Sequence, residues 1–175
     1  MQTKHIYERF SFRHILPSEV AQAVAIEQIC FPPNEACSAR AIAERVAAAP
    51  ELFLVAVDRD SGRLAGFLNG LATDEAQFRD AFFTDASLYQ PSGAYVMLLG
   101  LDVLPQYRNQ GLARALVETY AAREAERKAL VLTCLEDKVA LYRHLGFVDE
   151  GEANSTWGGE RWHQMRLPLR ENSVD

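Results

Sequence analysis

Residues 101–113 read LDVLPQYRNQGLA and connect the most apolar strand-like segment of the chain to its most regular helical segment. Residues 95–104 form that apolar segment, and Pro105 follows it directly. Across residues 111–126, apolar side chains recur at the spacing of one helix face. The stretch is therefore predicted to contain the end of a strand, a turn and the beginning of a helix.

The predicted turn has the properties of an anion site. The first turn of a helix leaves N–H groups without intrahelical partners and carries a partial positive charge. Small side chains at Gly111 and Ala113 let a phosphate approach the backbone, and Arg108 adds a fixed charge. The stretch is neither a Walker A loop nor a G-x-G-x-x-G dinucleotide loop. We therefore expect phosphate binding without hydrolysis of a nucleoside triphosphate.

The same residues resemble a known family. Residues 108–113 (RNQGLA) resemble the R/Q-x-x-G-x-G/A pyrophosphate loop of the GNAT superfamily of N-acetyltransferases, and residues 103–108 (VLPQYR) resemble the V-x-P-x-Y-R string before it. Residues 140–147 (ALYRHLGF) resemble the A-x-x-F/L-Y-x-x-x-G-F block of a later helix in that family. With the helical amino-terminal third, the resemblance spans residues 10–169.

The resemblance implies an α/β (α+β) class and the single-domain GNAT acyl-CoA N-acyltransferase fold. That fold has a mixed, mostly antiparallel central sheet with helices on both faces. Its fourth and fifth strands splay apart, and acetyl-CoA enters the gap between them. Residues 1–10 would form an N-terminal extension, residues 11–169 the acetyltransferase domain and residues 170–175 a C-terminal tail. The implied cofactor-binding residues are Leu101, Asp102, Val103, Arg108, Asn109, Gln110, Gly111, Leu112, Ala113 and Tyr142.

Acetyl transfer to an amine requires a proton acceptor and benefits from a proton donor. An alkylamine has a pKa near about 10, so at neutral pH it is protonated and cannot attack a thioester. The resemblance places the Tyr142 hydroxyl near the CoA sulfur, where a protonated phenol can donate a hydrogen bond to the departing thiolate. Tyr142 is therefore the predicted catalytic acid. The alternative is a half-buried helical aromatic with a packing role.

The predicted base comes from a second resemblance. Residues 30–38 (CFPPNEACS) resemble the loop between the first two helices of arylalkylamine (serotonin-type) N-acetyltransferases and their bacterial relatives. Glu35 falls at the position of a proposed base in the insect-type members, so it is the preferred catalytic base or water organiser. The alternative is a surface or helix-capping glutamate.

The chain departs from the vertebrate serotonin enzymes on the fourth strand. Those enzymes have two histidines there, but Met97 and Leu99 occupy the corresponding positions in this chain. A histidine relay is therefore excluded. Asp102 is the second candidate base, and the backbone N–H of Val103 is a candidate donor to the thioester carbonyl.

Other chemistry-bearing residues receive structural interpretations. His144 should lie on a different helix face from Tyr142, and His163 is expected to pack across strands rather than reach the acceptor. Cys134 ends a predicted strand but has no partnered base, which disfavours an acyl-enzyme. Direct attack by the amine is therefore preferred. Four aromatic residues are candidate walls for an aromatic acceptor: Phe31, Tyr89, Tyr95 and Trp157.

Composition and charge indicate the class of protein and exclude several kinds of partner and site. The 175 residues, 49% hydrophobic and 24% charged, fit one soluble domain. The formal charge is 18 − 24 = −6, which disfavours nucleic acid as a partner. No apolar run is long enough for a membrane span, and no secretory or lipidation signature is visible, so a cytoplasmic location is expected. The three cysteines show no C-x-x-C pair and do not cluster with histidines, so neither disulfides nor a metal site is expected.

Hydrophobic periodicity predicts a strand-helix-helix-strand-strand order followed by strand-helix-strand-helix-strand-strand. The loop at residues 73–90 is expected to include a short helix. Ser38 and Gly146 are expected to cap helices at the amino and carboxyl end respectively. The predicted strands are residues 11–16, 52–57, 64–71, 95–104, 129–134, 147–149 and 162–167, and the predicted helices are residues 17–31, 38–49, 111–126 and 136–145.

The sequence therefore predicts an N-acetyltransferase that moves the acetyl group from acetyl-CoA, its only expected cofactor, to a small-molecule primary amine such as an arylalkylamine. The acidic balance favours a cationic acceptor. Two alternatives stay open: another acceptor amine (a polyamine, an aminoglycoside, an amino acid or a protein N-terminus), and a non-catalytic CoA-binding regulatory module. The sequence is compatible with a monomer and with a homodimer.

Overall fold

The computed structural model describes residues 2–169, and these fold around one seven-stranded mixed sheet. The strands are β1 (Phe10–His14), β2 (Phe53–Asp58), β3 (Leu64–Thr73), β4 (Tyr95–Val103), β5 (Ala129–Cys134), β6 (Val148–Glu152) and β7 (His163–Pro168). The α-helices are α1 (Gln2–Arg9), α2 (Val20–Cys30), α3 (Ala39–Ala48), α4 (Ala81–Thr84), α5 (Leu112–Arg123) and α6 (Val139–His144).

The strand order is β1-β2-β3-β4-β5-β7-β6, and every neighbouring pair is antiparallel except β4 and β5. Helices α2 and α5 both contact β3 and β4, and every residue of β3 is buried. Helices therefore cover both faces of the sheet, which confirms the predicted fold class.

The parallel pair β4 and β5 is joined over a short distance only. The register runs from Tyr95 opposite Ala129 to Met97 opposite Val131, and the pairing then stops. Strand β4 continues to Val103 without a partner on that side. The splay predicted between the fourth and fifth strands is confirmed, and it opens the sheet at its centre.

Strand β4 also changes register where the splay begins. Asn69 of β3 lies opposite Gly100, but Gly70 lies opposite Leu98, so Leu99 is an extra residue in β4. A bulge of this kind bends a strand and redirects its side chains and backbone groups. It lies beside the gap between β4 and β5, and so it shapes the opening there.

Local signals in the sequence correctly located most element ends. The Ser38 hydroxyl accepts the Ala41 amide at 3.1 Å as the N-cap of α3. Gly146 has φ +99° directly after α6, as expected of a left-handed helix end. The loop after β3 contains the short helix α4, as predicted.

The amino terminus differs from the sequence interpretation, which gave residues 1–10 no regular structure. Residues 2–9 form helix α1, and Ile6 is buried against the core. A short, polar helix has little intrinsic stability, so tertiary contact with β1 and α5 provides most of it. The predicted tail at residues 170–175 lies outside the described residues.

Candidate active site

The gap between β4 and β5 opens into a cleft of about 840 Å³. The loop after α2, the splayed part of β4, the beginning of α5, the end of β5 and helix α6 form its walls. Of the residues predicted from sequence to act here, those that line the cleft are Glu35, Leu101, Val103, Arg108, Asn109, Gly111, Leu112, Ala113 and Tyr142.

One end of the cleft is the amino terminus of α5. Gly111 is the N-cap and has φ +87°, a backbone conformation that side chains rarely tolerate. A Cβ atom at Gly111 would have no protein atom within 4 Å, so the space before the helix is open. The first amides of α5 have no intrahelical acceptor, and they face this open space. The site can therefore receive an anion on backbone donors.

Basic side chains surround this end of the cleft. The Arg108 Nε donates to the Val103 carbonyl at 2.9 Å, which holds that guanidinium at the rim. Arg114 and Lys138 also line the cleft, although the sequence analysis did not select them. The signal for Arg114 was its place in the first turn of the predicted helix.

Two predicted residues have side chains outside the cleft. The Gln110 amide accepts from Arg9 at 2.7 Å and donates to the Gln106 carbonyl at 3.1 Å, so it ties the loop to α1. The Asp102 side chain is completely buried behind β4. Neither side chain lines the cleft, and at Gln110 only backbone atoms are available to a ligand there.

The splayed part of β4 presents free backbone groups to the cleft. Leu104 donates its amide to Ala65 of the β3 side at 3.0 Å. Because hydrogen-bonding direction alternates along an antiparallel pair, the amides of Leu101 and Val103 point the other way, into the gap. The Val103 carbonyl accordingly accepts from Arg108 and from the Cys30 thiol at 3.4 Å. This edge can bind an amide-containing chain laid along it.

Tyr142 lies on α6 at the β5 side of the cleft. Its ring packs edge-on against Phe147, with 5.6 Å between ring centroids. Burial, followed by the nearby Cys134 and Asp102, raises the pKa of the Tyr142 phenol well above its ordinary value. The hydroxyl is therefore protonated throughout the neutral range and is available as a donor.

Glu35 lies at the opposite side of the cleft, in the loop after α2. Its backbone carbonyl accepts the Trp157 indole N–H at 2.8 Å, and its side chain is half-buried. Burial and the charges of Glu160 and Asp137 raise the pKa of the Glu35 carboxyl. A carboxylate with a raised pKa is a better proton acceptor near neutral pH.

The cysteines and histidines keep structural roles. Burial, with Asp149 and Asp137 nearby, raises the pKa of the Cys134 thiol to about 12, so it is not a thiolate at neutral pH. His163 contacts Asp149 across β6 and β7 at 3.2 Å and lies outside the cleft, as expected. His144 is exposed at the rim, and its carbonyl accepts from Arg114.

A buried polar cluster lies beneath the acceptor side of the cleft, and the sequence analysis missed most of it. Glu27 of α2 accepts the Cys37 amide at 2.9 Å. Arg45 of α3 donates to the Cys37 sulfur at 3.1 Å, to Asn69 at 3.2 Å and to the Phe83 carbonyl at 2.8 Å. All these side chains are nearly inaccessible to solvent. The available signal was a charged residue at an apolar position of a helical pattern.

Asp102 completes this polar cluster. Burial, followed by the charge of Glu27 and contact with its carboxyl group, raises the pKa of Asp102 well above its ordinary value. Both Asp102 carboxyl oxygens are buried without a hydrogen-bond donor. Burial and the Glu27 carboxyl thus favour the protonated form of Asp102, and its inaccessible oxygens make it a poor base in the empty site.

Aromatic side chains form one wall of the cleft, called the acceptor wall below because the sequence predicted aromatic contacts to an acceptor. Trp157 stacks on Phe83, with 4.6 Å between centroids and 30° between planes. Phe31 and Trp157 line the cleft as predicted, whereas Tyr89 and Tyr95 do not. Phe83 and Trp162 line it as well, and the sequence did not single them out.

Within residues 2–169, no group of three or more His, Cys, Asp or Glu residues is placed to hold a metal ion. The same described residues include no helix that is both long and apolar enough to cross a membrane.

Comparison with known proteins connects this cleft to a family. The model of the "Acetyltransferase (GNAT) family" matches residues 20–147, more than half of the chain. A search of curated proteins found no match. Among solved structures, the loading GNATL domain of CurA from Lyngbya majuscula is similar with a TM-score of 0.79 and 16% identity, over 91% of this chain and 98% of that chain.

Two further structures share the fold. A GphF GNAT-like decarboxylase in complex with isobutyryl-CoA has a TM-score of 0.76 and 23% identity, over 91% of this chain and 100% of that chain. The ribosomal-protein-S18-alanine N-acetyltransferase from Escherichia coli has a TM-score of 0.66 and 21% identity, over 95% of this chain and 97% of that chain. At these identities, the likeness establishes the fold and leaves the substrate open.

Proposed function

The chain belongs to the acetyltransferase (GNAT) family, and we propose that it transfers an acetyl group from acetyl-CoA directly to the primary amine of a small molecule. One observation carries the proposal: the splayed edge of β4 leads from the open amino terminus of α5 to Tyr142 and the aromatic acceptor wall. Phosphate-binding, chain-binding and reacting groups thus follow one another along a single cleft.

The cleft fits acetyl-CoA by the chemistry of its donors. The first amides of α5, with Arg108 and Arg114 beside them, suit the pyrophosphate. The unpaired amides of Leu101 and Val103 suit the amide-containing pantetheine arm, which would lie along β4 like an added strand. When bound, acetyl-CoA supplies the acetyl thioester. The isobutyryl-CoA bound in the GphF structure is consistent with this use of the fold.

One side chain is the proton acceptor of the proposed transfer, and another is the hydrogen-bond donor to the leaving group. Glu35 accepts a proton from the acceptor amine, directly or through a water molecule, because its half-buried carboxylate has a raised pKa. Tyr142 donates a hydrogen bond to the departing thiolate, because its phenol stays protonated. The high pKa of the Cys134 thiol supports direct attack by the amine over an acyl-cysteine route.

An arylalkylamine is the acceptor that the cleft favours. Phe31, Phe83, Trp157 and Trp162 provide apolar and π surfaces, which suit an aryl group. The loop that resembles arylalkylamine acetyltransferases, residues 30–38, supplies part of this wall. We propose a cytoplasmic enzyme on the basis of composition alone.

A thiol-release assay with acetyl-CoA tests the function. We expect turnover with 2-phenylethylamine and tryptamine that exceeds turnover with spermidine, kanamycin, free alanine and a peptide with an alanine N-terminus. The peptide is included because the Escherichia coli neighbour is named as an N-acetyltransferase of an alanine of ribosomal protein S18. Acetyl-CoA binding without thiol release across the whole panel would instead indicate a non-catalytic module.

A further inference from the structure

Two buried carboxyl groups meet at the floor of the acceptor side of the cleft. Glu27 and Gly100 line the cleft, and Asp102 lies directly behind Gly100. A Cβ atom at Gly100 would be 3.0 Å from Asp102 Oδ1 and 3.4 Å from Glu27 Oε1. Gly100 has no side chain, so no Cβ atom covers the two carboxyl groups at this point, and the Asn69 amide nitrogen, 3.2 Å from the same position, is the other polar neighbour.

The hydrogen bonds of this pair are incomplete unless it holds a proton. Glu27 is 3% exposed, and its Oε2 accepts the Cys37 amide. Asp102 is 0% exposed, and neither of its oxygens receives a hydrogen bond. Two buried carboxylates in contact would repel each other, so one proton shared between them satisfies Asp102 and removes the repulsion.

The surrounding groups fix the charge of the cluster. Cys30 of α2, Cys37 of the following loop, Arg45 of α3 and Tyr142 of α6 are the titratable or charged groups near the pair. Burial raises the pKa of the two thiols, and the pKa of Cys37 is about 11, so Arg45 is the one charged neighbour among them. The guanidinium and a singly protonated pair together have no net charge.

We propose that the Glu27–Asp102 pair is a cation subsite that binds the ammonium group of the acceptor and releases its shared proton when it does so. The empty pair holds one proton and one negative charge. When an ammonium ion enters, the proton leaves to solvent, and two carboxylates face two cations, the ligand and Arg45. The only bond that breaks is the O–H bond of the pair, and a buffer base takes up the proton.

The proposal rests on the proposed function only in taking an amine as the ligand. It assigns acceptor selection to this pair, whereas Glu35 still accepts the proton that the ammonium must lose before attack. A neutral isostere cannot replace the proton on the pair, so it should bind without electrostatic attraction to the two carboxylates. Buried polar groups that lack a ligand partner discriminate strongly in this way.

Titration calorimetry tests the subsite without turnover. 2-Phenylethylamine is titrated into the full-length protein with CoA at pH 7, in phosphate and in Tris buffer. The two buffers differ in their ionisation enthalpy. The change in apparent binding enthalpy between them gives the number of protons released. We expect about one proton per bound ligand, and no proton release with the neutral isostere 2-phenylethanol.

Variants separate the pair from other sources of the proton. In Asp102→Asn, the amide can donate to Glu27, so the fold is retained and a single carboxylate remains. We expect cation binding without proton release. The double variant Glu27→Gln/Asp102→Asn should bind the cation at least about tenfold more weakly, a loss of about 1.4 kcal/mol. Glu44→Gln, a surface change at an exposed pair with Arg40, should match the wild type.

Three results would overturn the proposal: no cation binding by the wild-type protein, proton release that persists in Asp102→Asn, or unchanged affinity in the double variant. The temperature at which each variant unfolds, with and without acetyl-CoA, establishes that it is folded. Failure of the proposed function would appear differently, as proton-linked cation binding without thiol release in the turnover assay.

Discussion

At the scale of single residues, burial assigns different tasks to groups that share one cleft. Tyr142 is packed against Phe147, and its phenol keeps its proton because the pKa is strongly raised. Glu35 is only half-buried, so its raised pKa still leaves a carboxylate that can exchange protons with water. Asp102 is completely buried, which raises its pKa and favours its protonated form. The depth of each side chain thus determines whether it donates, accepts or stores a proton.

The Tyr142 hydroxyl is expected to act in the chemical step rather than in binding. Tyr142→Phe removes the donor and keeps the ring, so kcat should fall by about 10- to 100-fold with little change in the Kd for acetyl-CoA. Because the pKa of this phenol is raised, Tyr142 should cause no loss of wild-type rate up to pH 9. The measurement is kcat against pH together with acetyl-CoA binding. Tyr7→Phe, on exposed α1, is the control, and equal kcat in both variants would contradict the assignment.

Glu35 is expected to set the acid side of the pH profile. A base must be ionised to act, so the rate should rise as pH passes upward through the pKa of Glu35, which is higher than usual. In Glu35→Gln, kcat/KM at pH 7 should fall by about 10²-fold and recover toward pH 10, where the free amine becomes abundant. Steady-state kinetics from pH 5 to pH 10 tests this. A profile identical to that of Glu44→Gln would show that Glu35 only supports the loop.

At the scale of elements, the site depends on two places where regular structure is interrupted. Strand β4 loses its β5 partner after Met97 and leaves backbone groups unpaired. Helix α5 begins at Gly111 with a left-handed residue, which turns its first amides toward the cleft. The splayed strand edge and the helix end thus offer free donors to one ligand, and neither would do so in an uninterrupted sheet or a buried helix end.

Gly111→Val tests the helix end, and Gly62→Val is its matched control. Both glycines have positive φ (+87° and +70°), and a Cβ at either would have no protein atom within 4 Å. Each variant should therefore lose about 1–2 kcal/mol of unfolding free energy through backbone strain. Gly111→Val should additionally lose the rise in Tm that acetyl-CoA produces, because the new side chain fills the anion site. Thermal unfolding with and without acetyl-CoA tests this prediction. If acetyl-CoA still raised the Tm of Gly111→Val, the anion site would not lie at the beginning of α5.

At the scale of the whole molecule, the charge distribution separates two kinds of ligand. The chain has a formal charge of −6, yet Arg108 and Arg114 lie at the α5 end of the cleft. Glu27 and Glu35 line the part of the cleft formed by α2 and the loop after it. A polyanionic cofactor and a cationic acceptor are thus favoured at opposite ends, although the overall charge is acidic.

The buried pair also makes global stability depend on pH. The pKa of Asp102 is higher in the folded protein than in the unfolded chain. Its contribution to the free energy of unfolding is therefore complete below about pH 4 and is lost as pH rises toward the pKa in the folded protein. Across that pH range, each unit of pH lowers the free energy of unfolding by about 1.4 kcal/mol. Asp102→Asn, neutral at every pH, should therefore gain Tm relative to the wild type from pH 5 to pH 7.

Unfolding measured from pH 4 to pH 8 provides the test. Asp60→Asn, in the exposed β2–β3 turn, is the control and should follow the wild-type curve at all pH values. Parallel curves for the wild type and Asp102→Asn would mean that Asp102 is ionised in the folded protein.

The sequence by itself determined the order of the elements from β1 to β7, because that order depends on local periodicity, and its resemblance to the GNAT family implied the splayed fold. Residues 101–113 carry strand end, turn and helix start within one segment, so their geometry follows from local rules. Gly111 was predicted as a site residue from its anion-binding turn, and Glu35 and Tyr142 from the family resemblance; all three line the cleft.

Only the tertiary structure decided which side chains meet beneath the acceptor. Glu27, Arg45, Asn69 and Asp102 come from four different elements, and each occupies an apolar position of its own pattern. Local periodicity can mark such a residue as unusual, but it cannot show what lies opposite it. The same holds for α1, which long-range packing stabilises, and for Phe83 at the acceptor wall. Their contacts join residues far apart in the chain, so they are determined by the packed core rather than by any single segment.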